Sequence, residues 1–426
     1  MRAFWKIFYN LIVVPVFFVL ILVLAIFNPK YRTGIKGRKN LFSQLKIKST
    51  ALDNNSKKIW FHVSSLGEFE QAKPLIAELK KSNKNLNIIV SFFSPSGYEP
   101  SKKYKLADII TYFPFDSYCN ARRFISIVKP NVAILIRYDL WPNHIWELKR
   151  KNIPIIIANA TMRANTARLY PVIKSFHRTL YNEVDYIAAI SEEDKKVFEL
   201  LNLKHPEISV MGDTRYDQVY QRCNESMKKH LIAENVIKDK LIIVAGSTWE
   251  ADENIIIEAY KEIKRKINNL LMILVPHEPN DRNIERIELE LNDKISHIRF
   301  SELNDYSGQE VIIVDSIGNL MTLYKYATIA FVGGSFRGGV HNVLEPAVYG
   351  IPVIFGPNYY NSQEAIKLLS AGGAFTCKDE KEFIELSIKL LNDKNSRDKA
   401  GSIAKNFVLK YTGATDKFLS YIKKVL

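Results

Sequence analysis

The sequence predicts an α/β protein of two doubly wound domains, each a parallel sheet with helices on both faces, which face each other across a cleft. The chain has 426 residues, too many for one ordinary hydrophobic core. Short apolar runs, typical of buried parallel strands, alternate with amphipathic stretches typical of crossover helices. A polar, charged stretch at residues 221–239 interrupts this alternation, which then begins again.

Strands and helices are predicted from these runs in chain order. The first domain is predicted to contain strands at 58–63, 86–93, 108–113, 132–137, 153–158 and 185–190, with helices at 68–81, 121–128 and 144–151. The second domain is predicted to contain strands at 241–245, 270–275, 311–314, 328–332 and 352–355. Because ligands of doubly wound sheets bind beyond the carboxyl ends of the strands, we expect the motifs that follow these strands to line the cleft.

An apolar segment at the start of the chain predicts a membrane anchor. Residues 11–27 form an unbroken apolar run, and the aromatic residues before it extend the stretch to nearly the ~20 residues that span a bilayer. Trp5 and Tyr9 suit a membrane interface, and the excess of Lys and Arg after the run places the rest of the chain in the cytoplasm. We expect anchoring by spanning or by deep interfacial insertion. A cleaved signal peptide is the alternative, but no small-x-small cleavage site follows Phe27.

The composition favours anionic partners and a reducing compartment. Lys and Arg number 60 and Asp and Glu number 45, giving a net charge of +15. Such an excess suits an anionic membrane surface or phosphorylated substrates. Nucleic acid is the weaker interpretation because no RNP, zinc-finger or basic-zipper pattern is present. The three cysteines are far apart, which predicts neither a disulfide framework nor a zinc site.

The most informative segment is residues 315–361, where two apolar runs each end in a glycine-rich turn. Backbone N–H groups freed by these glycines are expected to approach a phosphate closely, and a carboxylate can accept hydrogen bonds from two ribose hydroxyls. The alternative is that the glycines only form tight turns. We interpret the segment as a sugar-nucleotide site that includes Gly333, Gly334, Ser335, Gly338, Gly339, His341, Asn342 and Glu345.

Glu68 is the candidate general base. It follows a predicted strand and the turn formed by residues 64–67, at the start of a predicted helix. A carboxylate there gains from the helix dipole, which is also expected to keep it ionised. An ionised carboxylate in a cleft can deprotonate a sugar hydroxyl. The alternative is an acidic residue that stabilises the first helical turn by ~0.3–1 kcal/mol and does nothing more.

Three further motifs follow predicted strands. Asp139, close to Trp141, either orients a basic or hydroxyl group or caps the helix that begins at Pro142. Ser247 and Thr248 form either an anion-binding helix N-terminus or an ordinary N-cap with a downstream acid. His277 comes to the same sheet edge, although a single histidine is more often structural. The sequence contains no P-loop, no G-x-S-x-G elbow, no H-E-x-x-H and no cluster with metal-ligand spacing.

Together these motifs resemble those of the 3-deoxy-D-manno-octulosonic acid (Kdo) transferases of lipid A and lipopolysaccharide synthesis. The resemblance covers nearly the whole chain, and the order and spacing of the motifs are more specific than any one of them. It is carried by residues 62–68, 140–143, 245–248, 315–318, 331–335, 339–342 and 345–346.

The resemblance implies a GT-B glycosyltransferase. It divides the chain into a membrane anchor helix (1–28), an acceptor-binding Rossmann-like domain (29–218), a nucleotide-sugar-binding Rossmann-like domain (219–407) and a C-terminal helix that packs toward the first domain (408–426). The donor is CMP-Kdo and the acceptor is a lipid A precursor, lipid IVA, at the cytoplasmic face of the inner membrane. The reaction is inverting, releases CMP and uses no metal and no cofactor. Neither nucleic acid nor any other partner is implied beyond these substrates and the anionic membrane surface.

The resemblance also implies roles for individual residues. Glu68 corresponds to the general base, and the acceptor side corresponds to Ser65, Gly67, Asp139 and Arg163. The donor side corresponds to Ser247, Thr248, Pro276, His277, Gly318, Ser335, Gly338, Gly339, His341, Asn342 and Glu345.

The chain departs from the family pattern at Arg137, Thr161, Glu278 and Asn319, where many members have other residues. These departures bear on the acceptor and phosphate contacts and leave the proposed base in place. Two alternatives stay open. One is a membrane-anchored GT-B enzyme that uses another sugar nucleotide, and the other is a non-catalytic module that binds anionic lipid.

Overall fold

The computed structural model describes residues 1–53, 55–291 and 295–426. It confirms the predicted α/β fold, with two parallel sheets of seven strands each. The chain divides into two compact units. Unit 1 comprises Met1–Gln218 and Thr412–Leu426, and unit 2 comprises Val219–Tyr411.

Unit 1 begins with one long helix, Arg2–Phe27, here called the N-terminal helix. It consists of α1, a π-helical turn and α2, and it ends where Asn28 precedes Pro29. The strands of unit 1 are β1 Lys58–Val63, β2 Asn87–Phe92, β3 Ile109–Tyr112, β4 Val132–Ile136, β5 Ile155–Ala160, β6 Tyr186–Ala189 and β7 Glu207–Val210. The helices are α1 Arg2–Phe8, α2 Val14–Phe27, α3 Pro29–Arg38, α4 Leu41–Thr50, α5 Leu66–Ser82, α6 Pro95–Ser101, α7 Tyr118–Val128, α8 Pro142–Arg150, α9 Pro171–Tyr181, α10 Glu192–Glu199 and α20 Ala414–Val425.

The strand order of the first sheet is β3-β2-β1-β4-β5-β6-β7. The order reverses between β1 and β4, which are adjacent and parallel. At such a switch point the connections leave the two strands in opposite directions, and a crevice opens beyond their carboxyl ends. The residues that follow β1 and β4 are therefore the natural place for a ligand in unit 1.

The core of unit 1 lies on both faces of this sheet, so every residue of β1 and β2 is buried. That burial is expected of a parallel sheet covered by helices on both sides. On one face, Phe69 and Leu75 of α5 belong to the same apolar cluster as Phe418 and Ile422 of α20. The last helix of the chain is therefore part of the core of unit 1.

In unit 2 the strands are β8 Leu241–Thr248, β9 Leu270–Pro276, β10 His297–Arg299, β11 Val311–Ile313, β12 Ile329–Val332, β13 Val353–Phe355 and β14 Ala374–Thr376. Helix α11, Thr214–Met227, leads into this unit. The other helices are α12 Glu234–Ile237, α13 Glu250–Lys266, α14 Asp281–Leu291, α15 Leu320–Leu323, α16 Leu344–Ala347, α17 Gln363–Ala371, α18 Glu380–Asn392 and α19 Lys394–Lys410, with 3₁₀ turns at Phe300–Asp305 and Tyr324–Tyr326.

The second sheet has the order β10-β11-β9-β8-β12-β13-β14. Its order reverses between β8 and β12, which pair in parallel. Apolar clusters cover both faces of this sheet as well. The loops after β8 and β12 therefore occupy the same position in unit 2 as those after β1 and β4 in unit 1.

Several element boundaries differ from those predicted. Strands β7, β10 and β14 were not predicted, because they are three or four residues long and lie at or beside sheet edges, where the apolar pattern is weak. Helix α5 begins two residues earlier than predicted because Ser65 caps it. Helix α4 continues to Thr50, into the polar stretch that precedes β1.

Candidate active site

The carboxylate of Glu68 is held at the junction of β1 and α5. Ser65 is the N-cap of α5, and its Oγ accepts a hydrogen bond from the Glu68 backbone N–H at 3.4 Å. The Glu68 side chain turns back, and its Oε2 accepts a hydrogen bond from the backbone N–H of Ser64. Glu68 is only 6 % exposed. The carboxylate is thus fixed in position just beyond the carboxyl end of β1.

Burial raises the pKa of Glu68 above its ordinary value, and the negative charge of Asp139 adds to this shift. The Ser64 N–H and the charges of His62 and Arg137 oppose it but do not cancel it. The shift runs against the direction expected from the helix N-terminus, because desolvation outweighs the groups that favour the charged form. A carboxylate with a raised pKa is a stronger base once it is ionised.

Asp139 lies beside Glu68, and its pKa is shifted in the opposite direction. Its Oδ2 accepts hydrogen bonds from the Ser64 hydroxyl, from His62 Nε2 at 3.1 Å and from Trp141 Nε1 at 3.0 Å. Burial acts to raise the pKa of Asp139, but these hydrogen bonds and the charge of His62 hold it below its ordinary value. Asp139 is therefore kept ionised and hydrogen-bonded to three donors, while the raised pKa of Glu68 favours its accepting a proton.

His62 connects Asp139 to the interior of the sheet. The histidine is fully buried in β1, and its Nδ1 lies 2.9 Å from Ser91 Oγ. Trp60 Nε1 donates to the same Ser91 oxygen at 2.8 Å. Ser91 thus holds the Nδ1 side of the ring, and Nε2 faces both Asp139 and the Trp141 indole Nε1, which lies 3.0 Å away. The orientation of Asp139 is thus set by a chain of buried side chains.

Arg137, which directly follows β4, has an unusual backbone conformation. Its φ is 68°, in the left-handed region that a side chain of this size rarely adopts. Its guanidinium carbon lies 5.7 Å from the centre of the Tyr138 ring, and its Nε is buried without a hydrogen-bond partner among the residues that the structure describes. A strained residue with an unsatisfied donor, close enough to lower the pKa of Glu68, is suited to contact a bound anionic group.

The other two residues predicted on the acceptor side, Gly67 and Arg163, are exposed. Gly67 is exposed in the first turn of α5. Arg163 is exposed in the loop after β5, where its carbonyl accepts from the Thr166 N–H at 3.1 Å. Within the described ranges, no side-chain hydrogen bond or ion pair joins Arg163 to Glu68 or Asp139.

In unit 2 the loops after β8 and β12 approach each other very closely. A Cβ on Gly333 would lie 2.4 Å from the backbone oxygen of Ser247, so only glycine fits there. Gly334 has a φ of 89°, and Ser247 has a φ of 54°, which places both residues in the left-handed region. These two turns are therefore packed tightly against each other at the switch point of the second sheet.

Asp252, from the first turn of α13, ties the two loops together. It is fully buried and accepts backbone N–H hydrogen bonds from Trp249 at 2.9 Å, Gly334 at 2.8 Å and Phe336 at 3.2 Å. Burial raises its pKa, and the three N–H donors oppose that shift. The N-cap of α13 is Trp249, not Ser247 or Thr248, and the downstream acid Asp252 also holds the glycine loop.

The glycine amides are not open to a phosphate as the sequence suggested. The N–H of Gly333 donates to the Gly246 carbonyl at 2.9 Å, and the N–H of Gly334 donates to Asp252. The N–H groups of Gly338 and Gly339 donate to the Gly334 carbonyl at 3.0 and 2.9 Å. That expectation is wrong because the loop satisfies its own amides. These four amides are therefore not free to contact an anion bound there.

An aromatic and cationic group of side chains lies over this loop. His277 and His341 stack with centroids 4.5 Å apart and planes inclined by 14°, and Trp249 lies 4.7 Å from His277. Trp249 Nε1 donates to His341 Nε2 at 3.0 Å, and the Arg337 guanidinium lies 4.3 Å from the Trp249 ring centre. Burial, together with the charge of His277, lowers the pKa of His341 to about 4. His341 is therefore neutral at physiological pH.

The remaining donor-side residues have diverse surroundings. Thr248 is buried and donates to Glu253 Oε1 at 2.7 Å, and the buried Ser335 Oγ accepts from the Gly356 N–H at 2.6 Å. Both hydroxyls are therefore engaged in hydrogen bonds within the protein. Glu345 lies 3.5 Å from Arg222 and accepts from the Asn342 amide at 3.3 Å.

Three further predicted residues complete the donor side. Pro276 is the buried end of β9, and Gly338 is exposed with open space around its Cα. Gly318 is exposed with a φ of 91° in the loop after β11.

Sequence reasoning did not assign a site role to several residues that build these groups. The clearest signal among them is His62, a polar side chain inside an otherwise apolar strand that ends at the candidate base. The others are Ser64, Ser91, Trp249, Asp252 and Arg337. Their partners are distant in sequence, so no local pattern marks them. In the described part of the chain, no group of three or more His, Cys, Asp or Glu side chains is arranged to hold a metal ion.

The fold and a family match in unit 2 define the class of protein. Residues 225–407 match the family described as glycosyl transferases group 1. The chain has the same fold as the UDP-GlcNAc 2-epimerase from Neisseria meningitidis bound to UDP-GlcNAc, with a TM-score of 0.61 and 16 % identity over 86 % of this chain and 100 % of that one. The protein is a glycosyltransferase of the GT-B type.

The particular family follows from unit 1. Residues 37–218 match the family described as 3-deoxy-D-manno-octulosonic-acid transferase (kdotransferase). The chain is 30 % identical to the 3-deoxy-D-manno-octulosonic acid transferase of Haemophilus influenzae over 99 % of both chains. It is 31 % identical to that of Aquifex aeolicus over 81 % of this chain and 89 % of that one. The chain belongs to the Kdo transferase family, as its motifs indicated.

Proposed function

We propose that this chain transfers Kdo from CMP-Kdo to a hydroxyl group of a lipid A precursor, lipid IVA, during lipopolysaccharide synthesis. The proposal rests on its membership of the Kdo transferase family and, above all, on one observation, the buried carboxylate of Glu68 at the switch point of unit 1. The N-terminal helix, long and apolar enough to cross a membrane by length and composition, supports a lipid acceptor at the inner membrane, with both units on the cytoplasmic side.

The proposed chemical step is a single displacement. Glu68 takes the proton of the acceptor hydroxyl, and the oxygen forms a bond to the anomeric carbon of Kdo. The bond from that carbon to the phosphate oxygen breaks, and its electron pair leaves with CMP. One displacement on one face inverts the anomeric configuration.

The residues around Glu68 support this role. Asp139 is already occupied by three donors, so it keeps its charge and raises the pKa of Glu68 without competing for the hydroxyl proton. The Arg137 guanidinium, whose buried Nε has no hydrogen-bond partner among the described residues, is suited to an anionic group of the donor or the acceptor. The base and its supporting charges are thus assembled on one side of the sheet.

Unit 2 supports binding of the donor. The exposed ring of His277 and the Arg337 guanidinium offer a stacking surface and a positive charge near the loop after β12. Glu345 is suited to accept from ribose hydroxyls. The leaving phosphate is stabilised by such fixed donors, so the proposed reaction needs no metal ion.

The test is a product assay with the full chain in detergent or lipid. CMP-Kdo and a tetra-acylated lipid A precursor are incubated with the protein, with and without EDTA, and the product is identified by mass spectrometry. We expect the mass of the acceptor to rise by one or more Kdo units, with no loss in EDTA. UDP-sugars offered in place of CMP-Kdo should give no product. Transfer from a UDP-sugar alone would instead support a different GT-B activity.

A further inference from the structure

The N-terminal helix contacts unit 1 near its first residues. The Arg2 guanidinium forms an ion pair with Glu183 at 2.8 Å. The Trp5 indole packs edge-on against Phe176 of α9 with centroids 5.3 Å apart, and its Nε1 lies 3.4 Å from Ser175 Oγ. The start of the helix is therefore attached to the surface of the folded unit.

Two turns further on, polar side chains of the helix are bound to the interior of unit 1. The Tyr9 hydroxyl donates to Asp116 Oδ2 at 2.9 Å, and the two residues are only 8 % and 3 % exposed. Asn10 and Asn143 exchange two amide hydrogen bonds of 3.0 Å each. A tyrosine hydroxyl and an asparagine placed in hydrocarbon would lose these partners and find no others. These contacts belong to a helix that rests on a protein surface.

The second half of the helix contacts the same unit. Phe17 lies 5.9 Å from the Trp141 ring, and Phe18 lies 5.9 Å from the Phe115 ring, centroid to centroid. Beyond the end of the helix, Arg38 of α3 donates to the Phe113 carbonyl at 2.7 Å and to the Phe93 carbonyl at 2.5 Å. The start of the N-terminal helix, its middle and the helix that follows it are thus tied to one folded unit.

This arrangement is incompatible with crossing a bilayer. Arg2 and Phe27 are separated by about 38 Å along a helix that rises 1.5 Å per residue, and the hydrocarbon core is ~30 Å thick. A spanning helix would carry its first turns to the side opposite the folded units. Arg2, Tyr9 and Asn10 would then be separated from Glu183, Asp116 and Asn143 by the membrane.

We infer that the N-terminal helix does not cross the membrane but lies in one leaflet, with both ends on the side that holds unit 1. The partner surface is the lipid bilayer itself. Apolar side chains on the free face of the helix are exposed, among them Leu11, Val16, Val19, Leu20, Val23 and Phe27. Basic residues that follow it are also exposed, namely Lys30, Arg32, Lys36 and Lys39. An apolar face beside a row of cations fits the acyl chains and the anionic headgroups of one leaflet.

Neighbouring residues of unit 1 extend this surface. Val172 and Ile173 at the start of α9 are exposed apolar residues on the helix that Trp5 packs against. Phe17 packs on Trp141, whose indole also donates to Asp139. If the proposed function holds, the embedded helix therefore lies directly beside the loop that carries the acceptor chemistry. The same-side placement of the two helix ends does not depend on that function.

The test is the accessibility of single cysteines in spheroplasts of a Gram-negative host that makes the full chain. Cys119 is exposed and reports the position of unit 1, while Cys223 and Cys377 are buried. Variants Cys119→Ser/Ala3→Cys and Cys119→Ser/Lys30→Cys report the two ends of the helix, and Cys119→Ser alone measures background labelling. A membrane-impermeant maleimide is added before or after lysis.

We expect residues 3, 30 and 119 to be labelled to similar extents, and only after lysis. Labelling of residue 3 in intact spheroplasts, with residues 30 and 119 protected, would overturn the inference. Labelling of all three in intact spheroplasts would support same-side placement but contradict the cytoplasmic location in the proposed function. The two claims can therefore fail separately.

A second measurement does not depend on solvent access to residue 3. Arg2→Cys/Glu183→Cys in the Cys119→Ser background is treated with a short bis-maleimide in lysed membranes. The pair should form an intramolecular cross-link, as should the control pair Lys149→Cys/Asp185→Cys, whose native side chains lie 3.2 Å apart. A cross-link in the control pair alone would contradict a helix attached to unit 1.

Discussion

Glu68 and Asp139 share Ser64, whose backbone N–H donates to Glu68 and whose hydroxyl donates to Asp139. The pKa of Glu68 is raised, mainly by burial, and the pKa of Asp139 is lowered by its hydrogen bonds despite burial. Two carboxylates in one site are therefore driven in opposite directions. This difference supports the proton-accepting role proposed for Glu68 and a supporting role for Asp139.

The charges around Glu68 should set the acid limb of the pH–rate profile. Asp139 raises the pKa of Glu68 and Arg137 lowers it. Because the base acts in its ionised form, Asp139→Asn should move the acid limb of kcat/KM to lower pH. Arg137→Gln should move the same limb to higher pH. The profiles of both variants and the wild type are measured with saturating donor, and shifts in the same direction would contradict this electrostatic account.

The same pKa shifts predict opposite effects on stability. The raised pKa of Glu68 means that its protonated form favours folding at low pH, and that this contribution is lost as the pH rises through the folded-state pKa. Glu68→Gln, which stays neutral, should therefore raise the melting temperature at neutral pH and much less under acidic conditions.

For Asp139 the sign is reversed. Because the pKa of Asp139 is lowered on folding, its ionised form stabilises the protein at pH values above the ordinary pKa of the group. That contribution is lost as the pH falls through the folded-state pKa. Asp139→Asn should therefore lower the melting temperature at neutral pH, with a smaller effect under acidic conditions. Thermal unfolding of both variants across this range checks the two trends, and parallel trends would disprove the assignment.

The close contact of the two loops in unit 2 predicts a difference between two glycines. A Cβ at Gly333 would meet the Ser247 backbone at 2.4 Å, whereas a Cβ at Gly338 meets nothing within 4 Å. Gly333→Ala should lower the free energy of unfolding by ~1–3 kcal/mol and weaken CMP binding. Gly338→Ala should leave stability nearly unchanged. Equal effects in denaturant titrations would show that the loops are not held as the structure has them.

Arg337 should contribute to donor binding. Its guanidinium lies 4.3 Å from the Trp249 ring centre, at a site whose glycine amides are already bonded within the protein. Arg337→Gln should weaken CMP binding roughly tenfold, which corresponds to the ~1.4 kcal/mol of a charged contact. Lys378→Gln, an exposed cation paired with Glu382, is the control. Calorimetry that finds equal affinities for the two variants would exclude this role.

The sequence was sufficient for the architecture. Strand β1 has the predicted bounds because a buried, mostly apolar run between polar stretches has few other structures available in a doubly wound protein. The edge strand β7 was missed, because its residues are half exposed and carry little pattern. Local periodicity therefore predicted the buried centre of each sheet and not its margins.

The candidate site was predicted only in part. Glu68 could be found because its motif is contiguous and ends a strand. The contact between Asp252 and the glycine loop could not, because it joins residues 82 positions apart through backbone amides. The same contact overturned the expectation of open glycine N–H groups. Burial, which raises the pKa of Glu68, is likewise a property of the folded chain and not of the motif.

The most direct test of the proposed mechanism is Glu68→Gln, assayed for Kdo transfer and for CMP binding in parallel. Glu70→Gln, two residues along the same helix and bonded to Lys73 and Gln218, is the matched control. We expect Glu68→Gln to lose at least ~100-fold in transfer rate, as removal of a general base does, while its affinity for CMP stays unchanged. Glu70→Gln should transfer Kdo at nearly the wild-type rate. Transfer by Glu68→Gln at a rate close to that of Glu70→Gln would contradict the account.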